Sequence, residues 1–444
     1  EMYREGKEKG YLLKRADGSV YDAHLVIAPD GVNEEYREQF YDLGGIVDFS
    51  NPEAVEWYKT KHRPLLDMGV ATFKTDFGEE IPEDTYFHNG KTGREMHNVY
   101  PLLYNKTVFE VINEYYDRSI VWGRSGYAGS QRYPGYWSGD PLTDFPSMIS
   151  TLRGGLSFGL SGVPFWTHDL GGFKGEPTEA VYVRWTQFGL LTALSRLHGT
   201  STRMPWRYSE RACRIFKQYA ELRYQLLPYI YSISLQAAVT GLPLLRAMVL
   251  EFQNDRATYN LDHQYMFGDS LLVAPVFNEE GEVLVYFPEG KWFDYWTDEA
   301  IEGPMFLQRQ VPLEELPLYV KADSIIPMAP VYQYVEEGGW DPLSLHVWVD
   351  DEAYLTLRDD DGTSEFRATK SPKGIEIDLS LPPGKETMQY NLKVHALEAV
   401  SKVTADGRVL ECGDVEGGWI FDSAQSLLSI NVSIEAPISI SIQL

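Results

Sequence analysis

The sequence contains few cysteines and no long apolar run. Cys213 and Cys412 are the two cysteines among 444 residues, and they lie far apart in the chain. This excludes a disulfide framework and a cysteine-based zinc site. No apolar run approaches the ~18 residues of a membrane-spanning helix. The first residues, Glu1–Arg4, have no signal-peptide core. We therefore expect no membrane partner.

Positive charge is also scarce. The chain carries 39 Lys and Arg against 65 Asp and Glu, a net charge of −26 with neutral histidines. Such a charge repels phosphate backbones, which argues against a nucleic-acid partner. The sequence has no P-loop or dinucleotide-binding fingerprint, and Ser157–Gly162 is not a G-x-S-x-G elbow. The missing motifs exclude kinase and dehydrogenase functions. The negative net charge favours a neutral or cationic ligand over an anionic one.

Between about residues 44 and 240, short apolar runs alternate with longer segments of helical periodicity. This alternation is typical of repeated βα units and a parallel sheet. The predicted strands are Ile46–Phe49, Val70–Thr75, Ser119–Arg124, Gly135–Gly139, Val163–His168 and Leu194–His198. The predicted helices are Glu53–Asp67, Leu102–Tyr116, Asp144–Leu160, Thr178–Thr192 and Ser209–Val239. The sequence thus predicts six strands. A (β/α)8 barrel needs eight, so this chain would supply six of the eight.

After residue 241 the sequence becomes rich in strand-forming segments that Gly, Pro and Asp turns interrupt. Two β-sandwiches are the simplest interpretation. The acidic run Asp359–Asp361 is interpreted as a solvated hairpin turn rather than a metal-binding loop. The predicted organisation is a surface loop or hairpin at 1–43, a barrel portion at 44–243, a proximal β-sandwich at 244–328 and a distal β-sandwich at 329–444.

Asp76 is the first candidate catalytic residue. It follows the predicted strand Val70–Thr75, at the end where barrel enzymes keep their active sites. Lys74 lies two residues earlier and therefore on the same strand face. A lysine beside an aspartate favours the ionised carboxylate that a nucleophile needs. A buried structural ion pair is the alternative interpretation of the same two residues.

Asp140 is the second candidate. It ends the turn Pro134–Asp140, which also contains Trp137. An apolar indole beside a carboxyl raises the pKa of that carboxyl, which suits a proton donor. Pro141 follows directly, so an N-cap of the next helix is the alternative. One ionised and one protonated carboxyl, about 5–5.5 Å apart, are the minimum for retaining glycoside hydrolysis.

Further candidates lie at or just after the ends of predicted strands. Arg124 could donate to a carboxylate or a sugar hydroxyl, or lie at the surface. Asp169 and His198 suit hydrogen bonds to hydroxyl groups, with helix capping and core packing as alternatives. Phe173 could stack on a sugar or pack in a core. His168 and His198 lack metal-ligand spacing, so we expect no catalytic metal and no cofactor.

Six ordered motifs resemble those of glycoside hydrolase family 31, and its α-xylosidase branch most closely. They are Lys74–Glu79, Arg124–Ser125, Trp137–Asp140, Leu152–Ser157, His168–Phe173 and Ser195–Gly199. The likeness begins at Gly10–Arg15 and continues through Gln264–Asp269 and Leu272–Val276 to about residue 330. The Asp-Phe-Gly-Glu sequence at 76–79 differs from the Asp-Met-Asn-Glu pattern of the α-glucosidase branch. Related branches with Asp-Phe-Gly-Glu act on sulfonated or otherwise modified sugars.

The resemblance implies a (β/α)8 TIM barrel, two C-terminal β-sandwiches and a retaining exo-acting α-glycosidase. By its motifs, Asp76 would be the nucleophile and Asp140 the acid and base. The sugar-binding residues that it implies are Lys74, Phe77, Arg124, Trp137, Asp169, Phe173 and His198. The expected substrate is an oligosaccharide with a terminal α-linked xylose. An α-glucosidase or transglycosylase of the same family and a catalytically inactive carbohydrate-binding subunit are the alternatives.

Family members also have an N-terminal β-sandwich and two first barrel strands, which carry part of the sugar pocket and are absent from this sequence. We expect an N-terminal fragment or domain to complete the barrel, because six strands alone would expose an apolar interior. A homo-oligomer is compatible with the sequence. The nearest relatives include cytoplasmic enzymes, which favours a cytoplasmic location. Secretion is the alternative, since Asn105–Thr107 and Asn431–Ser433 are glycosylation sequons.

Overall fold

A computed structural model describes residues 1–21, 44–335, 337, 339–413, 415 and 417–444. They form two compact units, Glu1–Trp137 and Ser138–Leu444. Within these ranges, no helix is both long and apolar enough to cross a membrane. Residues 22–43, part of the loop predicted at 1–43, lie outside the described residues.

The described part of the first unit contains four α-helices, one 3-10 helix at Ser130–Arg132 and three short strands. The helices are α1 Met2–Lys9, α2 Pro52–Asp67, α3 Gly93–Met96 and α4 Tyr100–Asn113. The strands are β1 Phe73–Thr75, β2 Val121–Gly123 and β3 Tyr136–Trp137. β2 pairs in parallel with β1 and with β3. The carboxyl ends of these three strands therefore lie at one edge, as the βα pattern predicts.

Helix α4 holds β1 and β2 of the first unit in place. Its residues Val108 and Ile112, four positions apart, are buried in one apolar cluster with Val121 of β2. Asn105 of the same helix is fully buried, and its Oδ1 accepts a hydrogen bond from Thr75 Oγ1 of β1 at 2.5 Å. One helix thus holds the positions of β1 and β2.

The first unit differs from the prediction in two places. Residues 2–9 form α1, although a loop or hairpin is predicted there. The segment Ile46–Phe49 is not a strand, since Val47 makes one antiparallel bridge to Leu12. The backbone of this segment pairs with the chain before it, and the Leu13 N–H donates to the Ile46 carbonyl at 2.8 Å. Sequence periodicity alone could not reveal that partner.

The described part of the second unit contains five α-helices, 3-10 helices at Pro205–Arg207 and Arg256–Asn260, and nineteen strands. The helices are α5 Phe145–Leu160, α6 Glu179–Leu190, α7 Glu210–Gln225, α8 Leu227–Thr240 and α9 Met248–Glu251. The strands are β4 Trp166–Thr167, β5 Leu245–Ala247, β6 Tyr265–Phe267, β7 Leu271–Val273, β8 Glu282–Asp294, β9 Ala300–Gln310, β10 Leu318–Lys321, β11 Ser324–Met328, β12 Leu343–Trp348, β13 Glu352–Arg358, β14 Thr363–Ser371, β15 Gly374–Leu379, β16 Met388–Val394, β17 Lys402–Ala405, β18 Arg408–Val409, β19 Glu411–Cys412, β20 Gly418–Asp422, β21 Leu427–Ile434 and β22 Ile438–Gln443.

The long helix predicted over Ser209–Val239 is divided into α7 and α8. Pro228 lies in the first turn of α8; it lacks a backbone N–H and so cannot continue the preceding helix. Beyond the break, the Ser232 hydroxyl donates to the Thr356 carbonyl of β13 at 3.1 Å and accepts from the Arg358 N–H at 3.0 Å. The break therefore lets α8 attach to the distal strands.

The strands after residue 244 form three six-stranded sheets. The first has the order β5-β6-β7-β10-β8-β9 and pairs antiparallel in every register that the structure gives. The other two, β11-β12-β16-β21-β20-β19 and β13-β14-β15-β22-β17-β18, enclose one apolar core. β11 lies before the predicted boundary at 328 but pairs with β12, so the change of sheet falls between Lys321 and Ser324.

Candidate active site

Asp76 lies directly after β1, between two positively charged side chains. Lys74 Nζ is 2.5 Å from Asp76 Oδ2, and Arg124 Nη1 is 2.8 Å from Asp76 Oδ1. The backbone N–H of Phe77 also donates to Oδ1 at 3.0 Å. Arg124 follows β2, so the parallel pairing of β1 and β2 brings it to the carboxylate. This contact confirms the predicted neighbourhood of Lys74 and Asp76 and adds Arg124 to it.

The surroundings of Asp76 stabilise its charged form. Burial opposes ionisation, but the hydrogen bond from Lys74 and the charges of Arg124 and Lys74 outweigh it, so the pKa of Asp76 is lowered. The side chain remains about one-third exposed. An ionised carboxylate that is still accessible is suited to attack a bound substrate, which a fully buried ion pair is not.

The turn after Asp76 has an unusual backbone that the neighbouring strand supports. Phe77 has a φ of 60°, rare for a residue other than glycine, and Gly78 has a φ of 99°. A Cβ at Gly78 would lie 2.7 Å from Ser125 Oγ, and this hydroxyl donates to the Phe77 carbonyl at 2.8 Å. The Phe77 ring lies 4.3 Å from the Arg124 guanidinium. The turn thus exposes Phe77, a predicted sugar-binding residue, beside the carboxylate.

Two further side chains of the first unit lie close to Lys74 and Arg124. Glu79 Oε1 is 2.6 Å from Arg124 Nη2, so this arginine is shared by two carboxylates. Lys74 Nζ lies 4.3 Å from the centre of the Trp137 ring, and Trp137 is buried. Sequence reasoning predicted Trp137 but missed Glu79, whose position in the Asp-Phe-Gly-Glu motif was the available signal.

Asp140 belongs to the second unit, and it does not cap the following helix. Helix α5 begins at Phe145, and its N-cap is Asp144, whose Oδ1 accepts from the Ser147 N–H at 2.8 Å. Asp140 is exposed. The alternative interpretation of Asp140 as the N-cap of α5 is therefore wrong.

Three other predicted residues lie on neighbouring loops of the second unit. Asp169 is fully buried, with Oδ1 2.6 Å from Arg196 Nε. The rings of Phe173 and His198 lie 5.3 Å apart at 34°. The predicted strand Leu194–His198 forms only one parallel bridge, between Arg196 and Asp169, which still places His198 beside the Phe173 loop.

His168 has a structural environment. Its ring is fully buried, stacks on Phe188 at 4.3 Å and accepts a hydrogen bond at Nδ1 from Trp185 Nε1 at 2.9 Å. Burial lowers the pKa of His168 to about 3, so the ring is neutral at physiological pH. His168 is therefore a core histidine.

The candidate residues thus form two groups, one in each unit. The first unit holds Lys74, Asp76, Phe77, Arg124 and Trp137 with Glu79, and the second holds Asp140, Asp169, Phe173 and His198. The first group offers an ionised nucleophile among cations and aromatic rings. The second offers an exposed carboxyl at Asp140, whose neighbour Pro141 accepts hydrogen bonds from the Phe173 loop.

Comparison with known families gives two matches that cover most of the chain. Residues 1–233 match the glycosyl hydrolases family 31 TIM-barrel domain, and residues 241–326 match the glycosyl hydrolase family 31 C-terminal domain. These matches confirm the predicted fold, a TIM barrel followed by C-terminal β-sandwich domains.

Individual proteins are similar over large parts of the chain. An alpha-xylosidase of Emericella nidulans is 39% identical over 417 residues, which cover 89% of this chain and 51% of the relative. The alpha-xylosidase XylQ of Lactiplantibacillus pentosus is 39% identical over 336 residues, 73% of this chain and 42% of the relative. A GH31 dextranase of Flavobacterium johnsoniae, solved in complex with glucose, has a TM-score of 0.88 at 30% identity, covering all of this chain and 60% of its own. The chain spans about half the length of the curated relatives it matches.

Proposed function

The chain belongs to glycosyl hydrolase family 31, and we propose that it acts as a retaining exo-α-glycosidase on oligosaccharides with a terminal α-linked xylose. Two relatives with 39% identity carry the name alpha-xylosidase, which supports this sugar. The observation that carries the proposal is the environment of Asp76, an accessible carboxylate kept ionised by Lys74 and Arg124.

In the proposed first step, an Asp76 oxygen attacks the anomeric carbon of the xylosyl residue from the β face. The bond to the glycosidic oxygen breaks, and this oxygen takes the proton of the Asp140 carboxyl as the rest of the oligosaccharide leaves. The product is a β-linked xylosyl ester of Asp76. Lys74 and Arg124 keep Asp76 unprotonated before the attack. The ester that forms is neutral, and the negative charge then lies on Asp140, which has given up its proton.

In the proposed second step, Asp140 acts as a base. Its carboxylate removes a proton from water, the water oxygen attacks the anomeric carbon, and the bond to Asp76 breaks. Xylose leaves with its original α configuration, and both carboxyl groups return to their starting states. The exposure of Asp140 and its freedom from helix capping support this role. If a sugar hydroxyl replaces water, the same intermediate gives transglycosylation.

The remaining predicted residues would hold the sugar. Phe77 offers an exposed aromatic ring next to the nucleophile, Trp137 lies buried against Lys74, and Phe173 and His198 form a ring pair in the second unit. Lys74, Arg124 and Asp169 offer donors and an acceptor for hydroxyl groups. We also propose that an N-terminal segment completes the barrel and that the protein is cytoplasmic.

Azide distinguishes the two carboxyl roles. Asp76→Ala should abolish turnover of p-nitrophenyl α-xyloside, and azide should restore it with β-xylosyl azide as the product. Asp140→Ala should also be slow, and azide should then give α-xylosyl azide, since Asp76 still forms the ester first. The anomeric configuration is read by NMR. Turnover by Asp76→Ala without azide would refute the mechanism.

The sugar preference needs its own test. The wild-type protein should have a higher kcat/KM for p-nitrophenyl α-xyloside than for p-nitrophenyl α-glucoside. Equal or reversed values would replace the α-xylosidase proposal by the α-glucosidase alternative. Analysis of products from a xylosylated oligosaccharide at high concentration separates hydrolysis from transglycosylation. Sugar binding without any turnover would instead support the inactive carbohydrate-binding subunit.

A further inference from the structure

We propose that Arg203 is a positioning residue that fixes three loops around the sugar site of the second unit. The loops are 140–142, which contains Asp140, 171–175, which contains Phe173, and 198–203, which begins with His198. This inference rests on the proposed function for its meaning, because these loops carry the proposed acid and sugar-binding residues. Neither the family motifs nor the comparisons assign a role to Arg203.

The guanidinium of Arg203 is buried and is directed at backbone carbonyls. Its residue is 2% exposed. Nε and Nη2 donate to the Gly172 carbonyl at 3.0 and 2.8 Å, and Nη2 also lies 3.1 Å from the carbonyls of Phe173 and Gly175. Nη1 donates to the Ser201 carbonyl at 2.9 Å. One planar group therefore binds both the Phe173 loop and its own loop.

The same two loops also contact each other directly. The Thr200 N–H donates to the Phe173 carbonyl at 2.9 Å, and the Gly175 N–H donates to Thr200 Oγ1 at 3.0 Å. The Ser201 hydroxyl donates to the Gly175 carbonyl at 2.9 Å. The Phe173 and Gly175 carbonyls that accept two of these bonds are also bound by Arg203. Phe173, whose carbonyl accepts two of the bonds in this network, also pairs its ring with that of His198.

The network extends to the loop of the proposed acid. The N–H groups of Phe173 and Lys174 both donate to the Pro141 carbonyl, at 2.8 and 3.0 Å. Pro141 is the neighbour of Asp140 in the chain. A shift of the Phe173 loop would therefore move the backbone beside Asp140. These described bonds connect Arg203 to the Asp140 loop through the Phe173 loop, so we assign Arg203 a positioning role and not a role in contact with the substrate.

Glycines in two of the recognised motifs are explained by the same arginine. A Cβ at Gly199 would lie 2.5 Å from Arg203 Nη2, and a Cβ at Gly171 would lie 3.2 Å from its Cδ. At Gly172, a Cβ would lie 2.6 Å from the Leu142 carbonyl. The two loops thus lack side chains where Arg203 enters and where the Phe173 loop meets the Asp140 loop. We infer that these glycines make room for the positioning network.

Two variants and a matched control test this role. Arg203→Met keeps much of the length of the side chain and removes all donors, and Arg203→Lys keeps the charge but not the planar set of donors. The control is Arg184→Lys. Arg184 is equally buried and likewise donates to backbone carbonyls, those of Val311, Pro312 and Glu315, but it lies outside the three loops.

Hydrogen–deuterium exchange gives a readout that does not depend on activity. In both Arg203 variants, peptides that contain Phe173, Gly175 and Thr200 should exchange faster, and they should do so together. Arg184→Lys should change exchange near 311–315 and leave these peptides as in the wild type. Unchanged protection of the Phe173 and Thr200 peptides in Arg203→Met would overturn the proposal, whatever the enzyme hydrolyses.

Kinetics then connect the loops to the chemistry. We expect kcat/KM for a xylose-α-1,6-glucose substrate to fall about 10–100-fold in Arg203→Met and by a smaller factor in Arg203→Lys. The loss should be smaller for p-nitrophenyl α-xyloside, whose leaving group needs less protonation by Asp140. Equal losses for both substrates, or full activity of Arg203→Lys, would overturn the positioning role. Wild-type protein without any glycosidase activity would refute the proposed function, while the exchange result would still decide the role of Arg203.

Discussion

Lys74 Nζ lies 2.5 Å from Asp76 Oδ2; Lys74 belongs to β1, and Asp76 follows the last residue of that strand. The contact follows from the two-residue repeat of a strand, which directs both side chains to the same side. It has a chemical consequence, since the lysine both donates a hydrogen bond to the carboxylate and carries a charge of opposite sign. The pair therefore sets the pH range in which Asp76 can act as a nucleophile.

Lys74→Met should move the acidic limb of the kcat/KM profile to higher pH by about one unit. Burial raises the pKa of Asp76 and the lysine lowers it, so loss of the lysine leaves burial less opposed. The measurement is kcat/KM for p-nitrophenyl α-xyloside between pH 3 and 8. Lys59→Met is the control. It breaks the contact between Lys59 of α2 and Glu110 of α4, and it should leave the acidic limb in place. A shift to lower pH in Lys74→Met would contradict this reasoning.

Glu79→Gln should move the same limb in the opposite direction. Glu79 shares the Arg124 guanidinium with Asp76, and without its charge the arginine acts more strongly on Asp76. The pKa of Asp76 falls, a weaker base is a weaker nucleophile, and kcat/KM at neutral pH should drop about tenfold. Glu83→Gln, an exposed substitution in the following loop, serves as the control. An unchanged profile would mean that Glu79 does not influence Arg124.

Asp140 and Asp144 should separate activity from stability. Asp144→Ala removes the cap of α5 and should cost about 1 kcal/mol of stability while activity of the folded protein persists. Asp140→Ala should keep the wild-type melting temperature and lose activity. Thermal denaturation and p-nitrophenyl α-xyloside assays of both variants give the comparison. A lower melting temperature for Asp140→Ala would restore a structural interpretation of that residue.

Adjacent glycines of α5 should respond in opposite ways to alanine. A Cβ at Gly155 would lie 2.2 Å from the Trp166 ring, so Gly155→Ala should destabilise the protein by about 1–3 kcal/mol. A Cβ at Gly154 meets no atom within 4 Å, and Gly154→Ala should stabilise the helix by up to about 1 kcal/mol. Melting temperatures of the two variants check both signs. A stable Gly155→Ala variant would show that Trp166 can move aside.

Much of the site could be predicted because its residues follow strand ends in sequence. Lys74 lies on β1 and Asp76 directly follows that strand, two positions later, so continuing the period of the strand predicts that they lie together. Trp137 was also predictable from the motif in which it lies. Their neighbourhood needs no information about distant parts of the chain beyond the parallel order of the strands.

The missed features depend on partners that are distant in sequence. Glu79 gains its role from Arg124, which arrives from the next strand. In the sequence, nothing distinguishes Arg203 from other loop arginines. Its role depends on the three loops that meet around it in the fold. The segment Ile46–Phe49 has the composition of a strand, yet its backbone pairs with residues 11–13. The motif around Glu79 was a signal for that residue, but local patterns do not reveal which distant partner each of these residues meets.

The break at Pro228 has a consequence for protein engineering. Ser232 lies one turn beyond it and bonds both Thr356 and Arg358 of β13. Each residue added or removed between the proline and this serine would rotate the rest of α8 by about 100° and turn the hydroxyl away from its strand. Chimaeras that exchange the distal domain should therefore cross over after Ser232 and keep this spacing unchanged.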